Sequence, residues 1–334
     1  MAQGNSIFDQ FKSIQFAEQD GERFSVVSLP GLKHKLGASI EGYPKFFVYT
    51  NSSSSAVQNV VREILSVEYS VPCHLKANDG TITEGNFSII TLRSLDVPLQ
   101  SYFVEIFIMM LTKMPGEPSR RELSIEVENL IAIFSALVAP PKKKIQGLWA
   151  ELLVIEQASQ PETLINAWHS SPSAKYDFTM GRDKIEVKST SSEERVHKFS
   201  LDQLNPSPNS RLVIASTVVR ESGPAVDGLS VKGLYDKICS RVTAINSRLR
   251  LYTIIADTIG TDVKKLEDVY FDYTAAVDSL EFYDHKDVPS IDEQYVSKLI
   301  TEVKFASNLE GLIDIRKPES DFDIESSNLF KSLI

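Results

Sequence analysis

The feature that most constrains this chain is the stretch 175–190, where side chains change character at every second residue. Tyr176, Phe178 and Met180 alternate with Asp177 and Thr179, and Ile185 and Val187 alternate with Glu186 and Lys188. A period of two belongs to a strand with unlike faces. Between the two runs lies Gly181-Arg182-Asp183, a turn of hairpin length. The stretch therefore reads as two strands, 175–180 and 184–190, paired as a hairpin. Alternation places Asp177 and Thr179 opposite Tyr176, Phe178 and Met180. It places Glu186 beside Lys188, with Ile185 and Val187 buried behind them.

Pairing the strands brings Asp177 near Glu186 and Lys188, and two carboxylates beside one ammonium suit a hard cation. Mg²⁺ takes a few carboxylate oxygens and completes its shell with water and substrate phosphate. The ammonium can hold a nucleophilic water or neutralise charge developing on a phosphate. The same E-x-K triplet also occurs on solvated strands, so its meaning rests on its surroundings.

Those surroundings form an ordered series. Residues 145–157 read as an amphipathic helix carrying Ile145, Leu148, Trp149, Leu152, Leu153 and Ile155 on one broad face. After the hairpin come a short helical turn at 200–204, ended by Asn205-Pro206-Ser207-Pro208, and a β-branched run at 211–219 suited to a buried strand. A helix is expected at 232–249, then strands at 251–256 and 269–273 and a looser acidic tail. Upstream, strands are expected at 24–29, 45–49 and 88–92, and helices at 55–66, 101–113 and 121–137. The boundary falls at Ala139-Pro140-Pro141-Lys142-Lys143-Lys144, where two prolines stop a helix and three lysines keep the junction wet or touch phosphate. The chain is thereby divided into two domains, 1–139 and 145–334.

Helix, strand Asp, E-x-K and helical Gln together resemble the PD-(D/E)XK nuclease superfamily. Gly147-Leu148-Trp149-Ala150-Glu151-Leu152, Tyr176-Asp177-Phe178, Ile185-Glu186-Val187-Lys188-Ser189-Thr190 and Leu201-Asp202-Gln203-Leu204 look like a largely uncharacterised bacterial group associated with restriction and phage-defence loci. The resemblance implies an α/β restriction-endonuclease-like core, a mixed sheet with flanking helices, preceded by a mixed α/β N-terminal domain that recognises substrate or partner. It implies Mg²⁺, replaceable by Mn²⁺, held by Asp177, Glu186 and the backbone carbonyl of Val187. Glu151 would be a further ligand or would orient one. Lys188 would position the attacking water, and Gln203 would support the site or touch substrate. The reaction implied is phosphodiester hydrolysis, most naturally by a DNA endonuclease, with nucleic acid and other defence proteins as partners and a homodimer as one assembly. The alternative is a non-catalytic nucleic-acid-binding or assembly subunit that keeps the fold. One departure stands out: the family's Pro before the strand Asp is Tyr176 here.

Other residues compete for attention. On a helical wheel Glu151 sits at the edge of the apolar face and Glu156 nearer its middle, so periodicity alone does not choose Glu151; the family pattern does. Asp183 suits a turn, and His197 is either structural or a phosphate contact. Trp149 and Trp168 read as core. The five histidines, His34, His74, His169, His197 and His285, lack zinc-ligand spacing, and no Walker-type loop or G-x-S-x-G occurs. Cys73 and Cys239 are far apart and read as free thiols in a reducing cytoplasm. No apolar run is long enough for a membrane span, and the N-terminal residues do not read as a signal peptide. The formal charge of −10 is uneven: residues 251–334 hold 8 basic and 18 acidic residues, and the rest is balanced. A balanced body can still carry a basic groove.

Overall fold

The computed structural model describes residues 6–14, 23–51, 57–137, 140–141, 144–169, 174–224, 227–297 and 299–334. The chain divides into two compact units, residues 1–139 and 140–334.

The first unit contains α1 (Ile7–Lys12), β1 (Arg23–Ser28), β2 (Lys35–Ala38), β3 (Pro44–Tyr49), β4 (Val60–Val61), β5 (Leu65–Ala77), β6 (Ile82–Leu92), α2 (Val97–Lys113) and α3 (Arg120–Ala136). Strands pair in the order β1, β2, β3, β6, β5, and β5 returns in parallel to β1, so the sheet closes on itself. Closure removes the open edges that a flat sheet would expose. Val26, Phe47, Cys73, Leu75, Phe87 and Ile89 fill one cluster, while the neighbouring Phe46 packs its ring on Phe103 and Phe107 of α2. The helix expected at 55–66 is not formed. Residues 52–56 lie outside the described residues, and Val60–Val61 and the chain from Leu65 are strands. Burial along β5 follows the period of two of a strand with one covered face.

The second unit opens with α4 (Ile145–Gln157) and α5 (Pro161–Ala167), then β7 (Phe178–Met180), β8 (Asp183–Thr190) and β9 (Val196–Ser200). A single 3₁₀ turn, Leu201–Gln203, leads towards β10 (Arg211–Val218). After it come β11 (Glu221–Ser222), β12 (Gly228–Ser230), α6 (Val231–Arg241), α7 (Ile245–Ile259), α8 (Lys265–Asp268), β13 (Tyr270–Asp272), α9 (Tyr273–Asp278), β14 (Glu281–Asp284), β15 (Lys304–Asn308) and α10 (Asn328–Lys331). The central sheet runs β14-β10-β8-β7, with β8 parallel to β10 and the outer pairs antiparallel. This is a mixed α/β architecture with a restriction-endonuclease-like core. No helix of the described residues is long and apolar enough to cross a membrane.

The hairpin forms with a two-residue turn, because Asp183 pairs with Met180 instead of joining the turn. Gly181 has φ +57°, at the first central position, where a type II′ turn calls for glycine. Helix α4 is buried on every side from Leu148 to Glu156. That explains why its wheel singled out no residue.

Three expectations downstream fail. The helix expected at 232–249 is two helices, broken where the Glu162 carboxylate accepts the Thr243 and Ala244 N–H groups, each at 3.2 Å. Residues 251–256 are not a strand but the middle of α7, whose buried Leu251, Tyr252, Ile255, Ala256 and Ile259 recur at helical spacing. The acidic end is not loose. β15 pairs with β9, β14 with β10, and Leu329 and Phe330 are fully buried. Arg211 ties that end to the sheet by stacking on Phe330 at 4.9 Å, bonding Ser326 Oγ and the Asp323 carbonyl, and pairing with Asp183 at 2.8 Å.

Phe330→Ala should therefore lower the unfolding free energy of the second unit by about 3–5 kcal/mol, the usual cost of emptying a buried aromatic site. Chemical denaturation measures it; a loss below about 1 kcal/mol would mean that the C-terminal turn is not part of the core.

Candidate metal centre

Glu151 points from the buried helix α4 and is 3% exposed. Its Oε2 accepts the Trp168 Nε1–H at 2.7 Å and lies 3.0 Å from His169 Nε2. Trp168 follows α5 and forms an isolated antiparallel bridge with Phe178, and the His169 N–H donates to the Asp177 carbonyl at 2.8 Å. Residues 168–169 thus run alongside the beginning of β7 like an extra strand. Arg250 secures them from α7, donating to the Ile165 carbonyl at 2.9 Å and the Trp168 carbonyl at 2.6 Å.

Asp177 stands just before β7 and is 7% exposed. Continuing the β7–β8 ladder would set Tyr176 opposite Val187. Instead the Asp177 Oδ2 accepts the Val187 N–H at 2.9 Å, replacing a backbone acceptor. The regular alternation expected across residues 176–178 is broken here. Phe178 lies opposite Ile185 and stacks on Trp168, whereas Tyr176 packs with Phe199, Leu212, Ile214 and Tyr283. Leu212 and Ile214 are the parallel neighbours of Lys184 and Glu186, so Tyr176 has crossed to the Glu186 face. Burial, with Glu186 and Asp202 nearby, raises the Tyr176 hydroxyl above its ordinary pKa.

Glu186, 5% exposed, pairs with Lys188 Nζ at 2.9 Å and accepts a short hydrogen bond from Gln203 Nε2. Gln203 Oε1 accepts from Lys188 at 3.2 Å and from the Ser200 N–H at 3.1 Å. With two donors at one end and a carboxylate at the other, the amide has only one orientation that satisfies all three. Lys188 also sits 5.0 Å over the Phe199 ring. Its side chain is only 17% exposed, and Val187 is half-buried instead of packed behind the pair.

The residues singled out from the sequence, joined by His169, thus fall into two groups with one link between them. Glu151, His169 and Asp177 offer ligand atoms that all lie within 4.8 Å of one another. Glu186, Lys188 and Gln203 form the other group, and the Val187 N–H that Asp177 accepts lies between Glu186 and Lys188. The two buried carboxylates of the first group, Glu151 and Asp177, offer oxygen donors with excess negative charge that fit a divalent cation, while Lys188 pairs with Glu186 in the second.

His169 is the member that sequence reasoning missed, since it stands in no regular spacing with another histidine. Its adjacency to Trp168, just ahead of the hairpin, was the only local signal. Glu156 is occupied elsewhere, accepting from the Tyr273 hydroxyl at 3.0 Å and pairing with Lys237 at 3.5 Å. Trp149 is fully buried against Phe271. Asp183 pairs with Arg211; burial acts to raise its pKa, but that pair and Ser327 carry it below the ordinary value.

The chain matches, over residues 10–310, the family described as “Putative PD-(D/E)XK family member (DUF4420)”. It belongs to that family. No curated protein and no solved structure matches it.

His197 is a structural residue: it is 3% exposed and its Nε2 lies 2.8 Å from Ser216 Oγ, joining β9 to β10. Burial, reinforced by the charges of Lys188 and Arg195, pushes its pKa down to about 4. The unfolded chain therefore holds the proton more tightly. The stability from keeping His197 neutral is complete above pH 6.5 and is lost as pH falls from 6.5 towards 4. At 1.36 kcal/mol per pKa unit the full loss is about 3 kcal/mol. His197→Gln should flatten this part of the stability–pH profile of the second unit; an unchanged slope would contradict the assignment.

Proposed function

We propose that this protein is a Mg²⁺-dependent phosphodiesterase of nucleic acid, acting as a DNA endonuclease in bacterial restriction or phage defence. The observation that carries the reading is the hydrogen bond from the Val187 N–H to Asp177, in the middle of Glu186-Val187-Lys188. A strand residue turns its N–H and C=O towards the same neighbour. The Val187 carbonyl therefore opens to the side on which Asp177 stands, beyond the end of β7.

Asp177, Glu186 and the Val187 carbonyl would hold the ion, with Glu151 behind them. When bound, the ion supplies Lewis-acid polarisation of the phosphate and lowers the pKa of a water. The rest is done by the chain. Lys188 is held by Glu186 and Gln203 in one place, so its ammonium is aimed before substrate arrives. It can orient a water or neutralise charge on a phosphate oxygen without rearranging. Gln203 fixes both members of the E-x-K pair and so acts as a positioning residue. Family membership favours nucleic acid as the source of the phosphodiester. Partners from a defence system, a homodimer and a cytoplasmic location belong to the same reading.

Asp177→Asn provides a clean test, because the amide oxygen can still accept the Val187 N–H while the charge is lost. Lys188→Met keeps the apolar stem over Phe199. Each should lower Mg²⁺-dependent cleavage of duplex or single-stranded DNA by about 100-fold or more, with circular dichroism unchanged. Cleavage that survives both substitutions would place the chemistry elsewhere. A wild-type protein that binds DNA but cleaves neither plain nor modified DNA, even with its natural partners, would be the non-catalytic subunit instead.

A further inference from the structure

We infer that Glu151, His169 and Asp177 form a second cation site that contains nitrogen, shares Asp177 with the Mg²⁺ site proposed above, and prefers a first-row transition ion to Mg²⁺. The sharing of Asp177 rests on that proposal; the site itself does not.

Geometry comes first. Ligand atoms about 2.1 Å from an octahedral ion lie about 3.0 Å apart at right angles and about 4.2 Å apart across it. The His169 Nε2 to Glu151 Oε2 separation is 3.0 Å, and all three donors lie within 4.8 Å. An ion can enter with shifts of a few tenths of an ångström.

The donors are also held in place. Glu151 is fixed by the Trp168 indole and Asp177 by the Val187 N–H. His169 adopts φ +40°, a conformation that a residue with a Cβ adopts at a cost. The bridge beside β7 and the Arg250 bonds hold it there and aim the imidazole at the two carboxylates.

Chemistry then selects the ion. Mg²⁺ takes oxygen ligands and holds its waters, whereas imidazole suits transition metals. Binding replaces the Nε2···Oε2 hydrogen bond with two metal bonds, and Nε2 releases any proton it carries to solvent. The turn from α4 into α5 and the approach of β7 are what assemble this set, so no local spacing announces it.

The test titrates the full-length, metal-free protein with Mn²⁺ in the absence of nucleic acid and reads pulsed electron paramagnetic resonance. Wild type should show coupling to an imidazole nitrogen and should bind Mn²⁺ at least about tenfold more tightly than Mg²⁺. His169→Asn, which tolerates positive φ, should lose the coupling and bind Mn²⁺ about 10–100-fold more weakly. Glu186→Gln should retain the coupling, because Glu186 is outside this donor set. A wild-type spectrum with no nitrogen coupling, or a coupling that persists in a folded His169→Asn protein, would overturn the proposal. Neither readout depends on nuclease activity, so a protein that cleaves nothing but shows the coupling would refute the phosphodiesterase alone.

Discussion

The second unit is organised around the burial of three carboxylates, Glu151, Asp177 and Glu186. Removing a carboxylate from water costs several kcal/mol unless fixed donors replace the solvent. Here each donor comes from a different part of the chain. The indole of Trp168 follows α5, the Val187 N–H lies on β8, and the Gln203 amide stands in a 3₁₀ turn after β9. Moving any one of these elements would strand a buried charge. The site is thus a condition on the packing of α4, α5, β7, β8 and β9, and not a decoration added to them.

How much of this was legible depends on how local each interaction is. The hairpin was readable because alternation and a glycine turn are properties of adjacent residues. The E-x-K pair came from one strand, whereas a role for Gln203 came only from the family pattern, since β9 stands between that strand and its turn. What could not be read was the bend at Asp177. Its cause is the bridge between Trp168 and Phe178 and the bond from His169 to the Asp177 carbonyl, both tertiary. The same bridge brings His169 into the cluster. Its backbone conformation, with φ +40°, leaves no trace in composition or spacing.

The misread secondary structure has a related origin. Residues 251–256 are a short apolar run, in which strand and helix patterns are hard to separate. Only the longer view, with Leu249 and Ile259 also buried, reveals the helical period. The break between α6 and α7 is imposed by Glu162, a side chain 81 residues away from the Thr243 N–H that it accepts. At 55–66 the serine-rich start concealed a chain that is already strand at Val60.

The acidic excess at 251–334 gains a different meaning once its partners are visible. Glu281 pairs with Arg195 at 3.0 Å, and Asp314 with Arg316 at 2.6 Å. The Asp323 carbonyl accepts from Arg211. Arg195 belongs to the charge-balanced part of the chain, so Glu281, one member of the C-terminal excess, is neutralised from outside that segment. Charge in such pairs contributes little to the distant field, because the opposite signs cancel within a few ångströms. Net charge by segment therefore overstates the repulsion that this region would exert on a phosphate backbone. It also argues against treating the region as a removable cover, since cutting it away would remove the Asp323 carbonyl and the ring of Phe330 on which the Arg211 guanidinium rests, leaving only its pair with Asp183.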